Sequence, residues 1–407
     1  MNHTSTHTDE IVYFLQKYIK INTAHPQPDY AGVCALFKAQ AEKDGFLYKE
    51  IILPSGRPFI VISYRGSDDS LPSLLLNHHM DVVPASNIHE WVSDPFAGEI
   101  HDGVIVGRGA QDTKSTGVAH YFAVKELKQM GYTPLRTVHI LIAPDEEIGG
   151  GTGTKEFVES EHFTSLHAGF IIDEAIPSGN RNSMKIKISE RKPLQITITV
   201  KGHLVHGATL RCFNPIHELV AILNEIRTYH DSQQEKSSDI PDGLLTSMNI
   251  TSLQAGIFNE GHVSFNIVPD CASATVDIRV SPQVSTASVQ KRIEDLISHY
   301  SNSSYTVHAS VSEDATVQSE QSFLYSMLER VVQQNGYRAE PLYFEGATDI
   351  RYYRARGLDG VGCTPFYAAN NIHGTNESLS LDDLCSGKNI MKEFIYSFCF
   401  DVAEVKR

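Results

Sequence analysis

The chain has no excess of positive charge. Across 407 residues, 34 Lys and Arg stand against 49 Asp and Glu, a formal net charge of −15. That deficit argues against a surface built for nucleic acid or anionic lipid, which needs clustered cations. The acidity serves solubility, or places some of the carboxylates around a cation. Long apolar runs are absent too: stretches such as Ser73 to Leu76 and Phe394 to Phe400 are far too short to span a bilayer. The segment Met1 to Glu10 is polar and lacks the basic start and apolar core of a signal peptide. No C-x-x-C pair occurs among Cys34, Cys212, Cys271, Cys363, Cys385 and Cys399. They read as reduced core or surface thiols of a cytoplasmic protein. Neither an internal repeat nor a low-complexity tract is present.

What is there suffices for a large core, since 41% of the residues are hydrophobic. The length predicts two or three domains, at roughly 100–200 residues each. Helical periodicity marks 9–20, 115–131 and a stretch around 153–161, and short apolar strands fall at 58–64, 74–83, 136–143 and 168–173. Strands alternating with helices predict an α/β domain, with a mixed, mostly parallel sheet covered by helices. The pattern changes near 190. Residues 194–202 alternate as a half-exposed strand should, and strand signals return at 245–254, 262–266, 271–280 and 304–311. Helices are expected at 214–230 and 285–299, and a polar loop at 231–243. This order predicts a separate α+β module with an open-faced sheet. The helix at 320–335 and the strand at 340–344 resume the first style. The expected organisation is one domain formed by 1–189 and 313–407, interrupted by a second at 190–312.

Several strands end abruptly in charge. SLLLNHHMDVVP carries His79 and Asp81, HILIAPDEE carries Glu146 and Glu147, and GFIIDE carries Asp173 and Glu174. Asp112, in VIVGRGAQDTK, stands just before a helix. Ligands bind outside the carboxyl ends of strands in open parallel sheets, so these residues are expected on one rim. Carboxylates crowded together protonate or recruit a cation. Histidine beside carboxylates, without thiolate, suits Zn, Mn, Co or Ni. His79 and Asp81 are two apart on an expected strand and would face one way, so one can ligate while the other fixes the imidazole tautomer.

The runs LLLNHHMDVVP, GRGAQDTK, PDEEIGG, IIDEAI and IHGTNE, in that order, resemble the zinc aminoacylase and carboxypeptidase superfamily of co-catalytic metallohydrolases, its aminoacylase branch above all. The resemblance covers about residues 10 to 400. It implies two Zn2+ per chain, with Co2+ or Mn2+ as substitutes. It assigns His79 to the first ion, Asp112 to a bridge between both, Glu174 to the first site, and Glu147 and His373 to the second. Asp81 would orient His79, Glu146 would be the general base, and the Asp112–Thr113 bond would be cis. The inserted module would be a ferredoxin-like lid and dimerisation domain. From it, His206 of one subunit would donate to the oxyanion in the other, and Asn266 and Arg279 would bind substrate polar groups. GATDIR would place Thr348, Asp349 and Arg351 near a substrate carboxylate, a task that suits the Arg fork.

The implied reaction is hydrolysis of an N-acyl-L-amino acid to a carboxylate and a free L-amino acid, by a cytoplasmic homodimer. A water bridging two zinc ions has its pKa lowered toward neutrality. Glu146 would take its proton during attack on the amide carbonyl and pass it to the departing amine. A dipeptidase, carboxypeptidase or N-acetylornithine-type deacylase of the same superfamily is the alternative. The chain departs from the aminoacylase branch at Ile350, where Asn is usual. It also departs around His373, where HGTNE replaces an HDHDE form.

Overall fold

The computed structural model describes residues 3–310, 320–369 and 371–400. Its largest element is an eight-stranded sheet. In spatial order the strands are Leu47–Ile52, Pro58–Tyr64, Val138–Ala143, Ser73–His79, Ala168–Asp173, Asp359–Gly362, Ser183–Glu190 and Arg338–Phe344. The four from Val138–Ala143 to Asp359–Gly362 are mutually parallel neighbours. Antiparallel pairs flank them, so the sheet is mixed.

The parallel centre follows from the sequence. Ser73–His79 and Val138–Ala143 are buried at every position, because helices cover both faces and a continuous apolar run is what such a strand requires. Leu75, Leu141 and Ile171 pack with Phe59, Phe157 and Ile350 on one side. Each such side chain, fully buried, contributes about 1.5–3 kcal/mol. The helix Lys114–Gln129 is buried along most of its length and packs against the helix Leu381–Cys399. Elements beyond the sequence reading include the strands Leu47–Ile52, Ser183–Glu190 and Asp359–Gly362, the helix Leu381–Cys399 and the helix Tyr30–Asp44. The last of these is capped by Asp29, whose side chain accepts from the Gly32 N–H, and it ends on Gly45 at φ 67°.

The chain divides into two compact units. The first comprises Met1–Ile188, Gln318–Leu342 and Thr348–Arg407; the second comprises Ser189–Val317 and Tyr343–Ala347. The expected boundary at 312–313 and position 311 of the expected strand lie outside the described residues. Taken by itself, the second unit is built on a four-stranded antiparallel sheet. Its strands run Ser247–Ala255, Cys271–Val280, Lys192–Lys201 and Ser303–Ser310. Burial alternates strictly along Lys192–Val200, as one covered face demands. Ile196 and Ile198 on that face meet Ile222 and Ile226 of the helix Pro215–Gln234 and Ile293 of the helix Thr286–Ser298. The first of these helices runs to Gln234, so the segment expected as a loop from 231 begins as helix.

No helix among the described residues is long and apolar enough to cross a membrane. All six cysteines are free thiols.

Candidate metal centre

The carboxyl ends of the parallel strands deliver the charged residues to one place. His79 ends its strand, Glu174 follows Asp173 at the end of the next, and Asp112 precedes the helix Lys114–Gln129 through a cis bond to Thr113. Donor atoms of His79, Asp112 and Glu174 lie within 4.8 Å of one another. His79 Nε2 is 2.9 Å from Asp112 Oδ1 and 3.6 Å from Glu174 Oε2. A second group, Asp112, Glu147 and His373, meets the same limit of 4.8 Å. There His373 Nε2 is 3.2 Å from Asp112 Oδ2 and 3.1 Å from Glu147 Oε2. Asp112 thus presents one oxygen to each group. Glu146 belongs to neither, although it adjoins Glu147.

The tautomer of His79 is set by its other nitrogen. Nδ1 donates to the main-chain carbonyl of Asp81 at 2.9 Å and lies 3.4 Å from the carboxylate Oδ1. That leaves Nε2 facing the donor group. The geometry here corrects the strand argument. The strand stops at His79, so Asp81 lies beyond it and acts on His79 through its main chain more closely than through its carboxylate. The carboxylate accepts the N–H groups of Glu146 at 3.1 Å and Glu147 at 3.0 Å. It also lies 2.9 Å from His25 Nε2. Burial alone would raise Asp81, but hydrogen bonds to His25 and His79 hold it at about 2.

The turn that carries Glu146 and Glu147 hangs on Asp145, which adopts the left-handed conformation at φ 64°. Its carboxylate accepts from Tyr30 Oη at 2.5 Å and Thr152 Oγ1 at 2.7 Å, and it pairs with Arg57. The sequence reading missed His25, Tyr30, Arg57 and Asp145. Only Asp145 carried a signal, as the first acid of PDEE; the others come from far along the chain.

The charge states fit a place for cations. His373 is pushed up to about 10 by hydrogen bonds to Asp112 and Glu147. Burial opposes a charge on His79, yet Glu174 and Asp112 hold its pKa well above the imidazole range. Burial, with Asp112 beside it, raises Glu174 to about 8 even though His79 pulls it down. Burial and Asp112 raise Glu147 as well. Asp112 moves the other way: hydrogen bonds to His373 and His79 overcome its burial and keep it ionised. Burial, Glu174 and Asp349 push Glu146 well above the carboxylate range. The two imidazoles therefore carry protons where cations could stand. Glu147 Oε1 is buried without a hydrogen-bond partner, as a carboxylate built for a metal would be. Nitrogen and carboxylate donors without thiolate fit zinc, manganese or cobalt.

The remaining expected residues are placed as follows. Arg351 is 3% exposed and points inward. Its Nη1 donates to the Thr348 carbonyl, and its Nη2 to the Gly149 carbonyl at 2.7 Å. Two backbone carbonyls thus engage the fork that was expected to face a substrate carboxylate. Thr348 donates to Asp173 Oδ2 at 3.0 Å, and Asp349 accepts from Thr154 at 2.5 Å. In the second unit His206 is exposed, with Nδ1 accepting from the Ala208 N–H at 3.1 Å. Asn266 is exposed next to it, since Gly207 N–H donates to the Asn266 carbonyl at 2.6 Å. Arg279 is half-buried and donates to Asp277 at 2.9 Å.

Two groups of carboxylate and imidazole donors on the rim of an α/β sheet fit a dinuclear metal site. The family model for peptidase family M20/M25/M40 matches residues 75–397, and the chain belongs to that family of enzymes. Mouse aminoacylase-1 is 30% identical over 386 residues, 93% of this chain and 93% of that protein. An M20 family metallo-carboxypeptidase from Sulfolobus solfataricus superposes with a TM-score of 0.79 at 20% identity, covering 95% of this chain and 98% of that one. A dinuclear metal-binding M20 peptidase from Bacillus subtilis superposes with a TM-score of 0.68 at 14% identity, covering 96% and 98%. The two structural likenesses establish the fold.

Proposed function

We propose that the chain removes the acyl group from N-acyl-L-amino acids as a cytoplasmic zinc enzyme. The observation that carries this reading is the pair of donor groups sharing Asp112, with Glu146 left outside both. The likeness to aminoacylase-1 over nearly the whole chain supports the substrate class. His79, Asp112 and Glu174 would hold one ion, and Asp112, Glu147 and His373 the other. When bound, the ions supply Lewis acidity that brings a water toward neutral pKa and polarises a carbonyl. Glu146 accepts the proton as the water oxygen bonds to the amide carbon. It returns that proton to the nitrogen as the C–N bond breaks, leaving a carboxylate and a free amine. A buried carboxyl with high proton affinity suits both halves of the task.

The second unit is assigned the roles of ferredoxin-like lid and dimerisation domain. Leu210 is 95% exposed and Phe265 93% exposed, close in sequence to His206 and Asn266. Apolar side chains bared in this way suit contact with a second copy. His206 would then stabilise the oxyanion in the partner's site, and Asn266 and Arg279 would bind substrate polar groups.

Turnover of N-acetylmethionine, N-acetylornithine and simple dipeptides, measured beside metal content, tests this reading. N-acetylmethionine hydrolysis dependent on about two ions per chain is expected. Exclusive hydrolysis of dipeptides would reassign the substrate, and full activity without metal would end the mechanism.

A further inference from the structure

Asp112 and His373 come from segments more than 250 residues apart, yet both must face one point. A buried ion pair joins their backbones. Arg108 and Glu377 are 2% and 0% exposed, and Arg108 Nη1 donates to Glu377 Oε2 at 2.7 Å. The same oxygen accepts the Gly109 N–H at 3.0 Å. Oε1 accepts the N–H of Gln111 at 2.7 Å and that of Asp112 itself at 3.1 Å. From the other side, Arg108 Nη2 donates to the His373 carbonyl at 3.0 Å. His373 sits in the left-handed region at φ 63°, a conformation that persists in a non-glycine residue only when its surroundings fix it. The Arg108 guanidinium also lies over the Trp91 ring, 5.5 Å from its centre.

We propose that Arg108 and Glu377 are positioning residues that hold Asp112 and His373 at a fixed separation, so that the second metal site is assembled before its ion arrives. The inference rests on the two-ion reading of the donor groups. A buried ion pair is costly to desolvate and is weak evidence for stability alone. Here Arg108 Nη2 and both Glu377 oxygens engage the backbones of the two segments, which gives the pair a specific task. Only a planar fork reaches Glu377 and the His373 carbonyl together, so lysine cannot replace Arg108 without loss. A glutamine at 377 would turn an NH2 group toward N–H donors.

The test uses the full-length chain with R108K, E377Q and H373A. Zinc and cobalt binding are followed by calorimetry and by the visible spectrum of bound cobalt. R108K should bind the second ion about 10–100-fold more weakly, the range typical when a residue supporting a metal ligand is changed. It should hold one ion instead of two at limiting metal. Excess metal should restore kcat without changing KM, since no reacting group is removed. E377Q should behave alike; if it fails to fold, R108K decides. H373A separates the two layers of the argument. If H373A loses one ion while R108K binds both as tightly as the parent, the positioning role is wrong and the two-ion reading stands. Should H373A retain both ions at parental affinity, the two-ion reading falls and the positioning role with it. Lowered thermal stability in R108K with parental metal affinity would mark the pair as merely structural and overturn the proposal.

Discussion

Loading the centre with metal should expel protons, and the number follows from the site. At neutral pH the metal-free chain carries a proton on His373, whose pKa is about 10, and on His79, which is held well above the imidazole range. With Glu174 at about 8, roughly one in ten of its carboxyls is ionised at pH 7. A ligand must shed its proton to bind, so filling both sites at pH 7 should release about three protons per chain from these three groups, besides whatever the raised Glu147 holds. Near pH 9 Glu174 has already lost its own, and release should fall to about two. The groups titrate as a set, so the count belongs to the cluster. Each ligand still protonated weakens apparent affinity about tenfold per unit of pH below its pKa. Calorimetric titration with zinc in buffers of different ionisation enthalpy gives the count directly. Release of fewer than one proton, or a count indifferent to pH, would refute the charge states assigned to the centre. The same groups govern the metal-free fold. Glu174 and His373 have folded pKa values above their unfolded ones. Their contribution is complete below about 4.5 and 6.5 respectively, and is lost as pH rises through about 8 and 10. The metal-free chain should therefore lose stability across that window, and the loaded chain should resist the loss.

Two further outcomes separate the proposed roles. Glu146→Gln should keep both ions and bind substrate while turnover falls at least ~10²-fold, the lower end for loss of a general base; Glu147→Gln should instead weaken the second ion, and metal analysis beside kcat distinguishes them. Neither His206→Ala nor Glu146→Ala should be active alone to the parental level, yet mixing them should restore part of the activity once subunits exchange, because one site of the hybrid dimer is then free of both defects; no recovery after demonstrated exchange would remove His206 from the partner's site.

Much of the rim was legible because its chemistry interrupts apolar strands. LLLNHHMD and HILIAPDEE announce a buried strand and then charges that cannot stay buried unpaired. The supporting residues were not legible, for two reasons. His25, Tyr30 and Arg57 reach Asp81 and Asp145 only through tertiary folding, and nothing in their local pattern distinguishes them from ordinary polar residues. Arg351 differs from these. Its sequence offers a carboxylate-binding fork, but burial at 3% exposure turned that fork to backbone carbonyls. The alternation of lysine with isoleucine in SMKIKISE signals a half-exposed strand, whereas Ser183–Glu190 is buried at all but one position. In the fold Lys187 is wholly buried near Asp173, 3.8 Å away.

The different roles proposed for two adjacent glutamates, base and ligand, have a structural basis. A side chain next to a ligand is ordinarily carried along by it. Here the left-handed Asp145 starts a tight turn, and the Asp81 carboxylate accepts both following N–H groups, one on each oxygen. Those two bonds fix the peptide planes of Glu146 and Glu147 separately, so the two carboxyls can serve different ends. The same Asp81 presents its main-chain carbonyl to His79 Nδ1. One residue thus joins His79 to the turn that holds Glu146 and Glu147, the proposed base and second-site ligand. His25, 2.9 Å from that carboxylate, keeps it ionised and able to accept. Loss of the Asp81 side chain would leave two N–H groups unpaired at about 1–3 kcal/mol each. It would also free Glu146 and Glu147 to follow one another, while the carbonyl contact to His79 could survive. Damage from that loss should therefore appear first in turnover and second-site metal, and only later in the site of His79 and Glu174.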